Sequence, residues 1–180
     1  MIYGERIRLR KNEKEDLPAF VRWINDPEVR VGIGMYLPIS HAEEDHWFED
    51  MLKRPPAERP FCIEIRDGGG WRLIGNTSLF DFDWRCRSAE FGILIGEKDV
   101  WNQGYGTQTT RLMLQHGFDT LNLHRITLRV YDNNPRARRA YEKAGYVHEG
   151  ILRQDEFRDG KYVDVHVMSV LSDEWKNRNL

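Results

Sequence analysis

Two short stretches of the sequence carry residue types that are suited to binding a phosphate group and donating a proton. Residues 101–106 read Trp-Asn-Gln-Gly-Tyr-Gly, and a second stretch begins at Asn134-Pro135 and contains Tyr141. Each stretch follows a segment with the alternating pattern of a strand and opens a segment with helical periodicity. The pair therefore predicts two helix amino termini, which attract anions, around one cleft.

The glycines at 104 and 106 would let the backbone approach a phosphate closely. A simple strand-to-helix turn is the alternative. Other nucleotide signatures fit poorly, because a dinucleotide motif needs glycine where Thr109 stands and a P-loop needs glycine followed by lysine there. A thioester of coenzyme A (CoA), whose pyrophosphate suits such a turn, is the cofactor class that still competes.

The second stretch predicts a short helix that carries one inward-facing phenol. Asn134 and Pro135 suit an N-cap and a first helical residue, and Gly145 suits the residue after the helix. Tyr141 shares a helix face with small residues, namely Ala137, Ala140 and Ala144. A core tyrosine with a backbone partner is one interpretation, and a general acid that protonates a departing thiolate is the other.

Hydrophobic periodicity predicts the elements that must position these residues. The predicted strands include the alternating segment at Ile7 and Leu9 and cover residues 60–66, 71–80, 89–95, 126–130, 147–152 and 162–171. The predicted helices run from Leu17 to Ile24 after an N-cap at Asn12, onward from Ser40, from Thr107 to Leu121 and from Pro135 to Ala144. The order indicates one α/β domain with a mixed sheet over residues 1–180.

Composition narrows the function classes. The chain has 180 residues and a net charge of −2, which gives no reason to expect bulk affinity for nucleic acid or an anionic membrane. Its apolar runs are too short for a membrane span, so we expect a cytoplasmic protein. Cys62 and Cys86 lack a paired spacing, and His41 and His46 do not align on one helix face, so we predict no disulfide and no metal.

Motifs along nearly the whole chain resemble the GNAT N-acetyltransferases, in the branch of ribosomal-protein alanine/serine and spermidine N-acetyltransferases. The matching stretches are residues 4–10, 87–92, 104–107, 123–126 and 149–153. The resemblance implies a single α/β (α+β) domain with a mixed, mostly antiparallel central sheet, a splayed strand pair and helices on both faces. One departure is Trp101, which stands where the family motif has Gln or Arg.

The resemblance also implies the cosubstrate and its ligands. Acetyl-CoA would lie with its pantetheine arm in the splay, Tyr141 would be the general acid, and Asn134 would hold the arm. The other implied cofactor-binding residues are Ile93, Leu94, Ile95, Gln103, Gly104, Tyr105, Gly106, Thr107 and Arg136. Arg136 is one of three arginines just past the loop, any of which could pair with a phosphate.

The general base and the acceptor are less well defined by the sequence. Glu90 is the best candidate base, and the alternative is that Glu90 is simply an exposed strand carboxylate. In some relatives a glutamate base stands on the following strand, but the matching position here is Arg129. We expect residues 26–40 and 155–162 to select the acceptor. An acidic run over residues 43–50 would attract a polyamine or a basic N-terminus, or is simply a solvated helix face.

The leading hypothesis is an enzyme that moves an acetyl group from acetyl-CoA to a primary amine by direct attack in a ternary complex. The acceptor would be a polyamine, an aminosugar or a protein N-terminus. The alternative is a non-catalytic acyl-CoA-binding module with the same fold, and a nucleotide-binding protein of another fold is a third option. The closing strands and aromatics such as Trp84 allow a homodimer.

Overall fold

An eight-stranded sheet organises the computed structural model, which describes residues 1–178. The strands are β1 (Ile2–Tyr3), β2 (Ile7–Lys11), β3 (Phe61–Asp67), β4 (Gly70–Asp83), β5 (Ser88–Ile95), β6 (Arg125–Tyr131), β7 (Val147–Arg158) and β8 (Lys161–Leu171). Their spatial order is β1-β2-β3-β4-β5-β6-β8-β7. Strands β5 and β6 run parallel, and the other described pairs are antiparallel.

Six α-helices are described within residues 1–178. They are α1 (Leu17–Asn25), α2 (Pro27–Arg30), α3 (His41–Lys53), α4 (Tyr105–Gln115), α5 (Pro135–Ala144) and α6 (Ser172–Arg178). A π-helical turn, His116–Thr120, continues α4 and keeps Phe118 on its buried face. The predicted helix to Leu121 therefore includes this wider turn.

Strands β5 and β6 separate soon after they meet. They pair only at Ser88↔Arg125, Ala89↔Ile126 and Glu90↔Thr127, although β5 continues to Ile95 and β6 to Tyr131. Beyond Glu90 the two strands lack ladder hydrogen bonds to each other, so backbone groups face an opening in mid-sheet. This confirms the predicted splayed strand pair.

Helices cover both faces of the central strands, because side chains alternate between the two faces and apolar ones occur on each. One core cluster packs residues such as Ile63 and Phe91 against α4. A second cluster packs Cys62 and Leu94 against α1. The predicted arrangement of helices on both faces of a mixed, mostly antiparallel sheet is confirmed.

The predicted N-cap at Asn12 is wrong by one residue. The capping box that opens this region joins Glu13 and Asp16, whose carboxylate accepts from the Glu13 backbone N–H at 2.8 Å. Asn12 is buried instead, and its side-chain oxygen accepts from the Cys62 thiol at 3.2 Å. The predicted capping box at Ser40 is confirmed, with Glu43 as its partner.

Candidate active site

A cavity of about 580 Å³ opens where β5 and β6 separate. Its walls are the end of β5, the loop and first turn of α4, helix α5 as far as Lys143, and α2 with the residues that follow it. We call it the splay cavity. Most of the predicted site residues line it, namely Ile93, Leu94, Ile95, Gly104, Tyr105, Gly106, Thr107, Asn134, Arg136 and Tyr141.

The amino terminus of α4 is shaped to receive an anion. Gly104 has a φ of 86°, in the left-handed region that glycine tolerates best, and this conformation turns the chain into the helix. The Gln108 N–H makes the first intrahelical bond, to the Gly104 carbonyl at 3.0 Å, which leaves the preceding N–H groups for a ligand. A side chain at Gly106 would meet nothing within 4 Å, so the space beside this turn is open.

Gln103 belongs to this loop but does not line the splay cavity. Its side-chain amide donates to the Asp99 carbonyl at 2.8 Å, and its own carbonyl accepts from the Arg6 guanidinium at 2.7 Å. Both contacts fix the loop, and neither Arg6 nor Asp99 lines the cavity. Gln103 is therefore placed to position the loop through its backbone, and its predicted contact with the cofactor stays a prediction.

Strand β5 presents alternate backbone groups to the cavity. The Ile95 carbonyl accepts from the Trp101 indole N–H at 2.9 Å, away from β4. The Leu94 carbonyl points toward β4, as shown by Gly75 of that strand: a Cβ added to Gly75 would lie 2.0 Å from the Leu94 oxygen. By strand alternation, the polar groups of Ile93 face the same side as those of Ile95.

The amino terminus of α5 forms the facing wall. The Asn134 side-chain oxygen accepts from the Ala137 N–H at 3.1 Å, which confirms the predicted N-cap. Its side-chain nitrogen remains as a donor and lies close to Gly32, where an added Cβ would be 2.9 Å away. Asn134 thus uses one end of its amide for the helix and keeps the other for a ligand.

Tyr141 is half-buried and reaches the cavity from α5. Its ring packs edge-on against Phe91 at 6.2 Å and lies 6.0 Å from the Tyr146 ring. Within residues 1–178, no hydrogen bond to its hydroxyl is seen. Burial raises the pKa of Tyr141 to about 12, so the phenol keeps its proton at physiological pH.

Glu90 does not line the splay cavity. Glu90 precedes Phe91 on β5, and strand alternation places the two side chains on opposite faces of the sheet. Burial raises the pKa of Glu90, while Arg129, whose Nε lies 3.8 Å from the carboxylate, lowers it. The structure thus sets the candidate base and the candidate acid on opposite faces at the start of the splay.

The two segments predicted to select the acceptor contact each other. Arg158, near the end of β7, donates to the Ile33 carbonyl at 2.5 Å and to the Val31 carbonyl at 3.4 Å. Its guanidinium also lies 3.8 Å from the centre of the Tyr131 ring. Val31 and Ile33 line the cavity, so Arg158 holds one of its walls. Arg158 lies within the segment predicted to select the acceptor, but neither periodicity nor spacing indicates its contacts with Val31 and Ile33.

The acidic run of α3 lies outside the cavity lining, and most of its carboxylates make local contacts. Glu43 completes the capping box, Asp45 lies 3.7 Å from Lys14, and Asp50 lies 2.7 Å from Lys53. Glu44 is only 6% exposed, and burial raises its pKa to about 7.

None of the described helices is long and apolar enough to cross a membrane. The described His, Cys, Asp and Glu side chains form no group of three or more that could hold a metal ion. Cys62 is a buried free thiol and Cys86 an exposed one.

Comparison with known proteins gives a consistent assignment. The Acetyltransferase (GNAT) domain family matches residues 6–147. A spermidine N(1)-acetyltransferase of Vibrio cholerae serotype O1 is 38% identical over 98% of this chain and 99% of its own length. A putative ribosomal N-acetyltransferase of Bacillus subtilis, YdaF, is 26% identical over 96% of this chain and 95% of its own. A crystal structure of spermidine N-acetyltransferase from Vibrio cholerae in complex with CoA and spermine superposes with a TM-score of 0.88 at 30% identity, covering 97% of this chain and all of the other.

Proposed function

Because the chain belongs to the GNAT acetyltransferase family, we propose that its splay cavity binds acetyl-CoA and that a primary amine attacks the thioester there. The chain is an acetyl-CoA-dependent N-acetyltransferase, and this assignment supersedes the alternative of a non-catalytic acyl-CoA-binding module. One observation supports the site most strongly: the amino terminus of α4, Asn134 and Tyr141 surround the same cavity.

The residues around the cavity suit CoA at each end. The open space beside Gly106 and the first-turn N–H groups at Tyr105, Gly106 and Thr107 fit a pyrophosphate. Arg136, Arg139 and Lys143 line the cavity and would attract the phosphates. The backbone of Ile93 and the free amide nitrogen of Asn134 would hold the pantetheine arm, whereas the Leu94 carbonyl is turned toward β4.

When bound, acetyl-CoA supplies an acetyl group on a thiol leaving group. Tyr141 would donate its proton to the departing sulfur as the carbon–sulfur bond breaks. The Tyr141 ring packs against Phe91, and this contact holds the phenol in position at the cavity. Burial disfavours the charged form of both groups, so the cavity that raises the pKa of Tyr141 would also favour protonation of the departing thiolate.

The amine must lose a proton before or during attack, because an alkylammonium with a pKa of about 10 is not a nucleophile. We assign this step to Glu90, directly or through water. Burial raises the pKa of Glu90 toward the range in which a carboxylate accepts protons efficiently. We propose direct acetyl transfer without a covalent enzyme intermediate, since neither Cys62 nor Cys86 lines the cavity.

A small-molecule amine is the acceptor class that the relatives support, and within it we propose a polyamine. Asp81 lies close enough to Glu90 to raise its pKa, and Asp155 lies 3.8 Å from Arg129 on the same side of the splay. This negative charge would favour a cationic acceptor. The acidic run of α3 does not line the splay cavity and has no role in our proposal.

The assay is thiol release from acetyl-CoA with a panel of amines, with the acetylated product identified by mass spectrometry. We expect the highest kcat/KM with spermidine or spermine. Aminosugars and peptides that start with alanine or serine are the comparison arms, and a preference for either would replace the polyamine proposal. CoA binding with no turnover on any amine would overturn the catalytic assignment.

We further propose that residues 1–180 act as one N-acetyltransferase domain, that the protein is cytoplasmic, and that it forms a homodimer. Support for the dimer comes from β7, an edge strand that exposes Val147, Ile151 and Leu152. Sedimentation equilibrium should give twice the monomer mass. A monomer at micromolar concentration would rule the dimer out.

A further inference from the structure

We propose that Trp101 holds Arg136 in place to bind the pyrophosphate of acetyl-CoA. The pair would thereby replace the Gln or Arg that the family motif has at position 101. This inference rests on the proposed function, because it concerns the same cofactor in the same cavity. It adds a positioning residue, Trp101, that the motif comparison alone marks as a departure.

Trp101 is fixed at the end of β5. Its indole N–H donates to the Ile95 carbonyl at 2.9 Å, and its ring packs against the second core cluster beside α1. The indole also lines the splay cavity, three residues before the glycine that opens α4. A flat aromatic face is therefore held beside the turn that we assign to the pyrophosphate.

Arg136 comes from the opposite wall and lies on this face. It is the second residue of α5, and its guanidinium carbon lies 3.9 Å from the centre of the Trp101 ring. Stacking of a guanidinium on indole is favourable and leaves the N–H donors at the guanidinium edge free to bind an anion. The contact joins the two helix amino termini that border the cavity.

The charge of Arg136 is not balanced within the described residues 1–178, where its side chain has no carboxylate partner. Its neighbour Arg138, by contrast, lies 3.2 Å from Glu142. Partial burial lowers the pKa of Arg136, as expected for a cation that lacks a compensating anion. A pyrophosphate on the α4 turn would supply that anion.

The other basic residues of the cavity lack this support. Arg139 and Lys143 line the cavity about one and two turns farther along α5, and neither contacts an aromatic face in the described structure. Arg139 therefore serves as a matched comparison: it is the same residue type in the same cavity, but it lies away from Trp101.

The test is isothermal titration calorimetry with CoA, dephospho-CoA and pantetheine. The first two share the pyrophosphate, and pantetheine has no phosphate. We expect Arg136→Met to weaken CoA and dephospho-CoA alike by roughly 10- to 100-fold, as for one charge-assisted contact, and to leave pantetheine unchanged. Arg138→Met is the control and should change none of them.

Trp101→Leu keeps apolar bulk but removes the aromatic face. We expect it to raise the Kd for CoA about 3- to 10-fold and the KM for acetyl-CoA in parallel, with kcat at saturation unchanged. Trp101→Phe should restore most of the affinity, because it keeps a ring. In an Arg136→Met background, Trp101→Leu should add nothing, whereas it should add its full effect to Arg139→Met.

CoA binding by the wild-type protein tests the proposed function, and the Trp101 and Arg136 variants test the stacked pair. If the wild-type protein binds no CoA, the proposed function fails. If wild type binds CoA and Arg136→Met binds it equally well, only the inference fails. Additive effects of Trp101→Leu and Arg136→Met would show that Trp101 acts independently of the arginine and would also overturn it. Should Trp101→Leu fail to fold, the Arg136→Met and Trp101→Phe titrations still decide.

Discussion

Replacing Tyr141 with phenylalanine removes one hydroxyl from the splay cavity and leaves the rest of the side chain. The ring contacts with Phe91 and Tyr146, at 6.2 and 6.0 Å, do not involve the hydroxyl. In the described structure the hydroxyl also makes no hydrogen bond that the substitution would break. We therefore expect the fold, the free energy of unfolding and the Kd for CoA to change little.

The expected loss is in the chemical step. A positioned general acid contributes about 10²- to 10⁴-fold. The pKa of Tyr141 is about 12, well above the value of about 8.5 for a thiol in water, so complete proton transfer is uphill and the lower part of that range applies. We predict that kcat falls by about 10²- to 10³-fold, which corresponds to roughly 3–4 kcal/mol of transition-state stabilisation.

The assay compares wild type and Tyr141→Phe with acetyl-CoA and the best acceptor, each at saturation, by thiol release. Titration of both proteins with CoA gives the binding control. A variant that keeps at least a third of the wild-type kcat would refute the assignment of Tyr141 as the acid. A loss of CoA affinity with kcat at saturation unchanged would instead indicate that the hydroxyl serves binding.

Three further predictions concern single residues. Asn134→Ala should lower the free energy of unfolding by about 1 kcal/mol and raise the KM for acetyl-CoA. Asn134→Asp keeps the capping oxygen but loses the amide donor, so it should raise the KM alone. Urea titration measures the stability of each variant, and steady-state kinetics measures its KM. Glu90→Gln should lower kcat/KM at least tenfold. In the wild-type protein kcat/KM should fall at acidic pH with a pKa above the ordinary glutamate range, and the variant should lack this acidic limb. An unchanged acidic limb in the variant would exclude Glu90 as the base. Burial raises the pKa of Glu44 to about 7, so the folded state holds this proton more tightly and stability falls as pH rises from about 4 to 7. Glu44→Gln should then be more stable than wild type at pH 8 by up to about 3 kcal/mol and similar at pH 4; equal stability at pH 8 by urea unfolding would contradict this.

Local signals account for the parts of the site that the sequence predicts well. The bounds of α5 match the prediction at both ends, because Asn134, Pro135 and Gly145 act on the backbone within one turn. The left-handed Gly104 and the capping box at Ser40 are equally local. Even here the choice between neighbours can fail: Glu13, not Asn12, caps the first turn, since the Asn12 side chain bonds Cys62 in the core.

Contacts between distant segments could not be predicted from periodicity. Arg158 reaches Val31, 127 residues away, and the stack of Arg136 on Trp101 joins two elements that share no sequence pattern. The splay itself was expected from the family resemblance and not from the strand patterns, which look alike on both sides of Glu90. Strand β7 also runs to Arg158, beyond its predicted end at Leu152, although most of its residues are exposed.

The most direct test of the proposed reaction is the product balance in one reaction mixture with and without an acceptor amine. With acetyl-CoA alone, we predict no free CoA and no acetylated protein. With spermidine added, we predict one free CoA for each acetylated amine, and initial-rate lines that intersect when both substrates are varied. CoA release before the amine is added, with an acetyl group left on the protein, would contradict direct transfer in a ternary complex.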